Sequence, residues 1–191
     1  MTPELKTGRL LLRPLQLADA EQVQRIFPRW EIVQYLNASI PWPYPADGTL
    51  SYYRDAALPA MERGEEWHWT LRLHAAPEEI IGAIGLSRGK EVNRGFWLVP
   101  EQQRQGLMTE AVIAVTGYWF EVLGFPVLRV SKAIANTGSR RISEKTGMRV
   151  VSVEERNYVG GKMLSEVWEL TAEEWQQQRT SGDISADGLL G

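Results

Sequence analysis

The chain has 191 residues, 43% of them hydrophobic and 24% charged, with a formal net charge of -3, which is a globular composition long enough to bury a core in one domain. Without a basic face, nucleic acid and anionic membrane are excluded as general partners, so any anion site must be local. Cysteine is absent and the two histidines, His68 and His74, make a poor ligand set; disulfides, a thiol nucleophile and a resident metal are therefore not expected.

The start, "MTPELKTGRLLLR", lacks the apolar core of a signal peptide, and no apolar run approaches the ~20 residues that span a bilayer. A soluble cytoplasmic protein is expected. "RLLLRPL" from Arg9 reads as a strand, and "LADAEQVQRIF" as a helix with Ala20, Val23, Ile26 and Phe27 on one side and Asp19 as its cap. A second short helix, "RWEIVQYL", follows. "NASIPWPYPADG" carries three prolines among large aromatics and must run as an ordered loop. "TLSYYRDAALPAMERG" reads as a helix that Pro59 should kink or shorten. Three strands with short connections come next: Glu66 to Leu73, Ile80 to Gly89 and Glu91 to Val99.

From Gly106 the segment "LMTEAVIAVTGYWFEVLGFP" is apolar over most of its circumference, which predicts a buried central helix stopped at Gly124 and Pro126. "VLRVSKAI" (Val127 to Ile134) reads as a strand and "NTGSRRISEKTGM" as a short helix capped by Asn136 and stopped by Gly147. "RVVSVEERNYV" and "KMLSEVWELT" form a hairpin about Gly160 and Gly161, followed by the helix "AEEWQQQ". Residues 1–178 are expected to form one domain and residues 179–191, polar and rich in glycine, a flexible tail.

The chemistry concentrates at the junction "LVPEQQRQGLMT". A helix start carries N–H groups without intrahelical partners and the positive end of the helix dipole. Gly106 has no Cβ to hold a ligand off, so the amides from Arg104 to Thr109 can converge on phosphates while Arg104 adds charge. Taken alone, Gly106 is equally a plain turn from strand to helix.

With the blocks "TGRLLLRPL", "IPWPYP", "IIGAIGL", "GFWLVPEQQRQGLMTEAV", "NTGSRRISEKTGM" and "SEVWELTAEEW" in this order, the sequence resembles the GNAT superfamily of acetyl-CoA-dependent N-acetyltransferases, in its ribosomal-protein-alanine acetyltransferase branch. The resemblance covers roughly Thr7 to Trp175. It implies an α/β fold: a strongly bent, mixed, mainly antiparallel sheet of about seven strands flanked by helices and splayed between the fourth and fifth. It further implies that acetyl-CoA is the co-substrate, with Leu98 and Val99 on the pantetheine and Gln103, Arg104, Gln105, Gly106, Leu107, Met108 and Thr109 around the pyrophosphate. Met108 departs from the small residue of the family pattern, and its side chain must point away from the phosphates.

By the same resemblance Asn136 and Ser139 face the pantetheine arm and the sulfur, as catalytic and cofactor-binding residues, although Asn136 reads equally well as a plain N-cap. Many relatives carry a tyrosine acid where this chain has Ser143. A thiol of pKa near 8.5 leaves without a strong acid, so Ser139 or a water suffices.

The general base stays unassigned. His68 reads first as a core group, and Glu66, Glu91, Glu154 and Glu155 as solvated carboxylates. Trp42, Tyr44, Tyr52 and Tyr53 lie in the region that roofs the acceptor cleft in relatives. The acceptor implied is a primary amine, either a protein N-terminus or a small molecule, and a homodimer stays open. A non-catalytic acyl-CoA-binding module is the alternative from another class, and a nucleotide-binding α/β domain is disfavoured for want of GxGxxG or a P-loop lysine.

Overall fold

The structure is a computed structural model and describes residues 1–182. Two antiparallel sheets form its centre. The first has the order β1-β2-β3-β4-β5, with β1 at Leu5–Lys6, β2 at Leu10–Pro14, β3 at Glu66–Leu73, β4 at Gly82–Ser87 and β5 at Arg94–Leu98. The second has the order β6-β8-β7, with β6 at Val127–Ala133, β7 at Arg149–Tyr158 and β8 at Gly161–Thr171. The expected strands are all present; the two-residue β1 is added, so the split expected between strands four and five falls between β5 and β6.

Alternation along β3 explains how the first sheet is covered on both sides. Trp69 pairs with Ile84, which pairs with Phe96, and this row belongs to the main core with Val112, Val115 and Trp119. His68 pairs with Gly85 and Gly85 with Gly95, which places that row on the other face. A second core of Leu15, Val23, Phe27, Ile32, Val33, Tyr53 and Ile80 covers this face through α1 (Ala20–Ile26), α2 (Trp30–Val33), α3 (Gly48–Tyr52) and α4 (Leu58–Glu62).

Several boundaries differ from the sequence reading, each for a local reason. β4 begins at Gly82 because the Ile80 N–H is taken by Gln22 Oε1 and its side chain joins the second core. β5 begins at Arg94 because the Asn93 N–H leaves the ladder for Arg129 O, 2.8 Å away. Asp19 does not cap α1 with its side chain: one carboxylate oxygen accepts from Gln16 N at 3.0 Å and the other from Arg72 Nη2 at 2.7 Å. Pro59 does not end its helix. A π segment at Tyr53–Ala57 precedes α4, and Pro59 stands in the first turn of α4 after that widened stretch.

α5 (Leu107–Gly117) continues as a π segment over Tyr118–Val122 and stops at Gly124, whose φ is +70°. α6 (Thr137–Lys145) and α7 (Ala172–Ser181) complete the fold. α7 includes Arg179 to Ser181, past the point at which the tail was expected to begin; residues 183–191 of that tail lie outside the described residues. No helix among the described residues is long and apolar enough to cross a membrane.

Candidate functional site

The two sheets part company at one place. Asn93 N donates to Arg129 O at 2.8 Å and Arg129 N donates to Asn93 Oδ1 at 2.9 Å, closing the apex between β5 and β6. Beyond Asn93 no ladder joins the two strands. Val99 N donates to Ile81 O at 2.9 Å and Ser87 N to Asn93 O at 2.8 Å, so odd-numbered residues of β5 face β4. The alternation of an antiparallel ladder therefore turns the main-chain groups of Phe96 and Leu98 to the unpaired side.

This separates two residues that the sequence reading placed together. Both main-chain groups of Val99 are engaged, its N–H by Ile81 and its carbonyl by Gln102 N at 3.0 Å. Leu98 directs its N–H to the unladdered side, while its carbonyl accepts from Gln103 Nε2 at 2.9 Å. Of the pair, only Leu98 leaves its amide free on the edge of β5.

The turn after β5 has two residues of left-handed conformation, Arg104 at φ 62° and Gly106 at φ 79°. The first main-chain bond of α5 runs from Glu110 N to Gly106 O at 3.1 Å, which leaves the N–H groups of Leu107, Met108 and Thr109 without intrahelical partners. Leu107 and Met108 send their side chains into the core, so Met108 does not crowd the turn, while Gln103, Arg104, Gln105 and Gly106 lie at the surface. Arg9 stands over the same turn: its Nη1 donates to Gln105 O at 2.9 Å, and a Cβ on Gly106 would come 3.4 Å from its Nη2. Bare amides, a missing side chain and a cation together make an anion-accepting turn at the end of β5. Among the described residues no cluster of ligating side chains could hold a metal.

α6 opens on the second sheet. Asn136 Oδ1 accepts from Ser139 N at 3.2 Å, a true N-cap, and both Ser139 and Ser143 are buried. Ser143 Oγ has no hydrogen-bond partner.

On the opposite face of the first sheet, His68 is hydrogen-bonded to Glu66, and both are largely covered, so Glu66 is not the solvated carboxylate that was expected. His68 Nε2 lies 2.6 Å from Glu66 Oε2; because a carboxylate only accepts, Nε2 carries the proton, and in the neutral ring Nδ1 is then the acceptor. The His68 bond is the main reason that the Glu66 carboxyl is held down to about 2, with burial opposing it and Lys90 assisting. A Cβ on Gly85 would fall 2.4 Å from His68 Nδ1, and one on Gly95 would meet nothing within 4 Å, so the two glycines make room around the ring. Tyr52 stands edge-on to it with ring centroids 6.5 Å apart. Of the other aromatics, Tyr53 is buried in the second core, Tyr44 packs on Phe27 at 5.2 Å, and Trp42 is exposed beside Trp30 at 5.8 Å.

Four groups escaped the sequence reading: Arg9, Glu110, Arg94 and Lys132. A signal existed for the last two. Arg94 shares a strand face with Phe96 and Leu98, and Lys132 with Leu128 and Val130, so each is a cation where alternation calls for an apolar residue.

The chain is 29% identical over 154 residues to "Uncharacterized N-acetyltransferase YoaA" of Bacillus subtilis (strain 168), covering 78% of this chain and 84% of that protein. Its fold is similar to the ribosomal-protein-S5-alanine acetyltransferase of Vibrio fischeri, with TM-score 0.78, 13% identity and coverage of 91% of this chain and 98% of that one. It is also similar to Mycobacterium smegmatis RimJ in complex with a CoA disulfide, with TM-score 0.76, 15% identity and coverage of 95% and 94%. Residues 9–149 match the family model described as "Acetyltransferase (GNAT) domain", and that span reaches from the Arg9 contact through the helix start to the first residue of β7: the chain belongs to the GNAT acetyltransferase family.

Proposed function

We propose that this protein transfers the acetyl group of acetyl-CoA to the α-amino group of a protein N-terminus. The observation that carries the reading is the pairing of an unladdered β5 edge, with its free Leu98 amide, and an uncapped α5 start bearing Gly106 at φ 79°. Acetyl-CoA supplies an activated acyl group, already at the oxidation level of the product amide. The chain's part is to hold, orient and move protons. The amides from Arg104 to Thr109 and the Arg104 side chain take the pyrophosphate; Asn136 and Ser139 support the arm at the start of α6; the Leu98 N–H polarises the thioester carbonyl.

The amine enters from the opposite face, above Gly95, and His68 Nδ1 takes its proton while Glu66 holds the ring. An N-terminus is favoured over a small amine by fold similarity to ribosomal-protein acetyltransferases, together with the exposed Trp30 and Trp42, which suit the apolar side chains of a peptide end. The test is acetyl-CoA turnover with a panel of N-terminal peptides and small amines, read by mass spectrometry. Acetylated peptides are expected; acetylation of small amines alone would move the acceptor class, and absence of turnover with every amine would leave only a binding module.

A further inference from the structure

Two buried cations lie along the splay, and the steps above use neither. Arg94, at the start of the unladdered stretch of β5, is 3% exposed; its Nη1 donates to Thr116 Oγ1 at 2.8 Å and its Nη2 to Met148 Sδ at 3.5 Å, while Nε has no partner. Lys132 on β6 is 8% exposed and reaches across the gap between the sheets, its Nζ 4.2 Å from the centroid of the Phe96 ring on β5. Its cross-strand neighbour Glu166 is held by Arg140 of α6 through bonds of 2.8 and 2.9 Å. Among the described residues no carboxylate comes within ion-pair reach of Arg94 or Lys132.

An unpaired ammonium in the interior is costly, and its place here is specific: it touches the one stretch of β5 whose main chain faces the gap, at Phe96, two residues before the free Leu98 amide. The serines read from the sequence on the second sheet's helix, Ser139 and Ser143, offer only hydroxyls, far weaker acids than an ammonium. We propose that Lys132 is the catalytic acid of this enzyme, giving its Nζ proton to the sulfur that departs when the acyl group is transferred.

This inference rests on the acetyl-transfer reading above. The amine lone pair forms the N–C bond, the C–S bond breaks with its electron pair going to sulfur, and the sulfur takes the Lys132 proton to leave as a free thiol. The amine's own proton passes to His68 on the other face, and water restores the charge of Lys132. Burial, with the Arg94 charge as the second cause, pushes the Lys132 ammonium down to about 7, so near neutral pH it both carries a proton and releases it readily. Arg94 thus has a role: its charge helps make the neighbouring ammonium a stronger acid.

Two variants test this. Lys132→Met removes the ammonium and fills its space; Lys132→Arg keeps a charge that does not give up its proton. The first measurement needs no acceptor: coenzyme A is bound to each protein, binding is checked by calorimetry, and the thiol is titrated by its thiolate absorbance. The bound thiol is expected to ionise at lower pH in the wild type than in Lys132→Met, with Lys132→Arg close to the wild type. The second is kcat with an amine that the wild type acetylates, expected to fall about 100-fold in both variants.

Equal thiol titrations in wild type and Lys132→Met would overturn the placement of Lys132 against the sulfur. Full turnover by Lys132→Arg would overturn proton donation and leave only a charge effect. If the wild type acetylates no amine, the acetyl-transfer reading fails, and the catalytic-acid role fails with it even if the thiol titrations differ.

Discussion

Arg9 Nε lies 2.8 Å from Glu110 Oε2, joining the approach to β2 to the first turn of α5 beside the anion-accepting turn. Glu110 Oε1 also accepts from Arg9 N at 2.8 Å and from the Thr7 hydroxyl, and Arg9 reaches on to Gln105 O. Burial opposes the Glu110 charge, yet the Thr7 and Arg9 bonds hold its carboxyl below the ordinary range. This makes Arg9 a positioning residue for the turn as well as a charge near it. Arg9→Met should weaken coenzyme A binding about 10-fold, corresponding to ~1.4 kcal/mol, measured by calorimetry. Unchanged affinity would show that the turn holds its shape without the ion pair.

Gly106 separates backbone strain from ligand exclusion. At φ 79° an alanine there costs about 1 kcal/mol of stability and brings its Cβ 3.4 Å from Arg9 Nη2. Gly106→Ala should lower the melting temperature slightly and retain some binding. Gly106→Glu should fold and lose coenzyme A binding, because a carboxylate then stands among the free amides. Normal affinity in Gly106→Glu would remove this turn as the phosphate site.

Ser139 and Asn136 should part in their effects. Asn136 Oδ1 caps α6 through Ser139 N, so Asn136→Ala should cost ~1 kcal/mol of stability and weaken cofactor binding. Ser139→Ala leaves that cap in place and should keep affinity, with kcat falling ~10-fold if its hydroxyl adds ~1.4 kcal/mol in the transition state. Wild-type kcat in Ser139→Ala, with chemistry limiting, would end its role at the sulfur.

His68→Gln should still donate to Glu66 but cannot take a proton. We expect coenzyme A affinity to hold and kcat to fall about 100-fold or more, measured by calorimetry and steady-state kinetics with the same peptide. A matching loss of affinity and kcat would instead indicate damage to the sheet beneath Gly85.

Glu66 sets an acid limit on stability. Its carboxyl is depressed in the folded protein from 4.5 to about 2, so the stabilisation is fully present above the unfolded value and is lost as pH falls from about 5 to about 2. A shift of that size is worth up to about 3 kcal/mol, shared between the His68 and Lys90 contacts. Chemical denaturation at a series of acidic pH values should show a steeper loss in wild type than in Glu66→Gln. Parallel curves would mean that Glu66 is not selectively stabilised in its charged form.

The sequence by itself determined the local features. Alternation in "EWHWTLRL" fixed β3 at the observed ends, and "RQGLMT" after an apolar run located the helix start, because a strand's faces and a glycine's left-handed turn are decided within a few residues. The absence of cysteine ruled out a cysteine nucleophile at the outset. Only the tertiary structure decided which strand residue keeps a free amide. Val99 and Leu98 look alike in the chain, and the difference is that Ile81 O claims one of them.

The same holds for the charges. Arg9 and Glu110 are 101 residues apart in sequence, and nothing local marks either for the other. Lys132 gave a faint sign by standing on the inward face of β6, but periodicity reports direction and not surroundings. Its burial against Phe96, with Glu166 already held by Arg140, follows from how the two sheets diverge from the paired hydrogen bonds between Asn93 and Arg129. Acidity and unpaired amides are set by what lies across the gap, and that is a property of the assembled sheets.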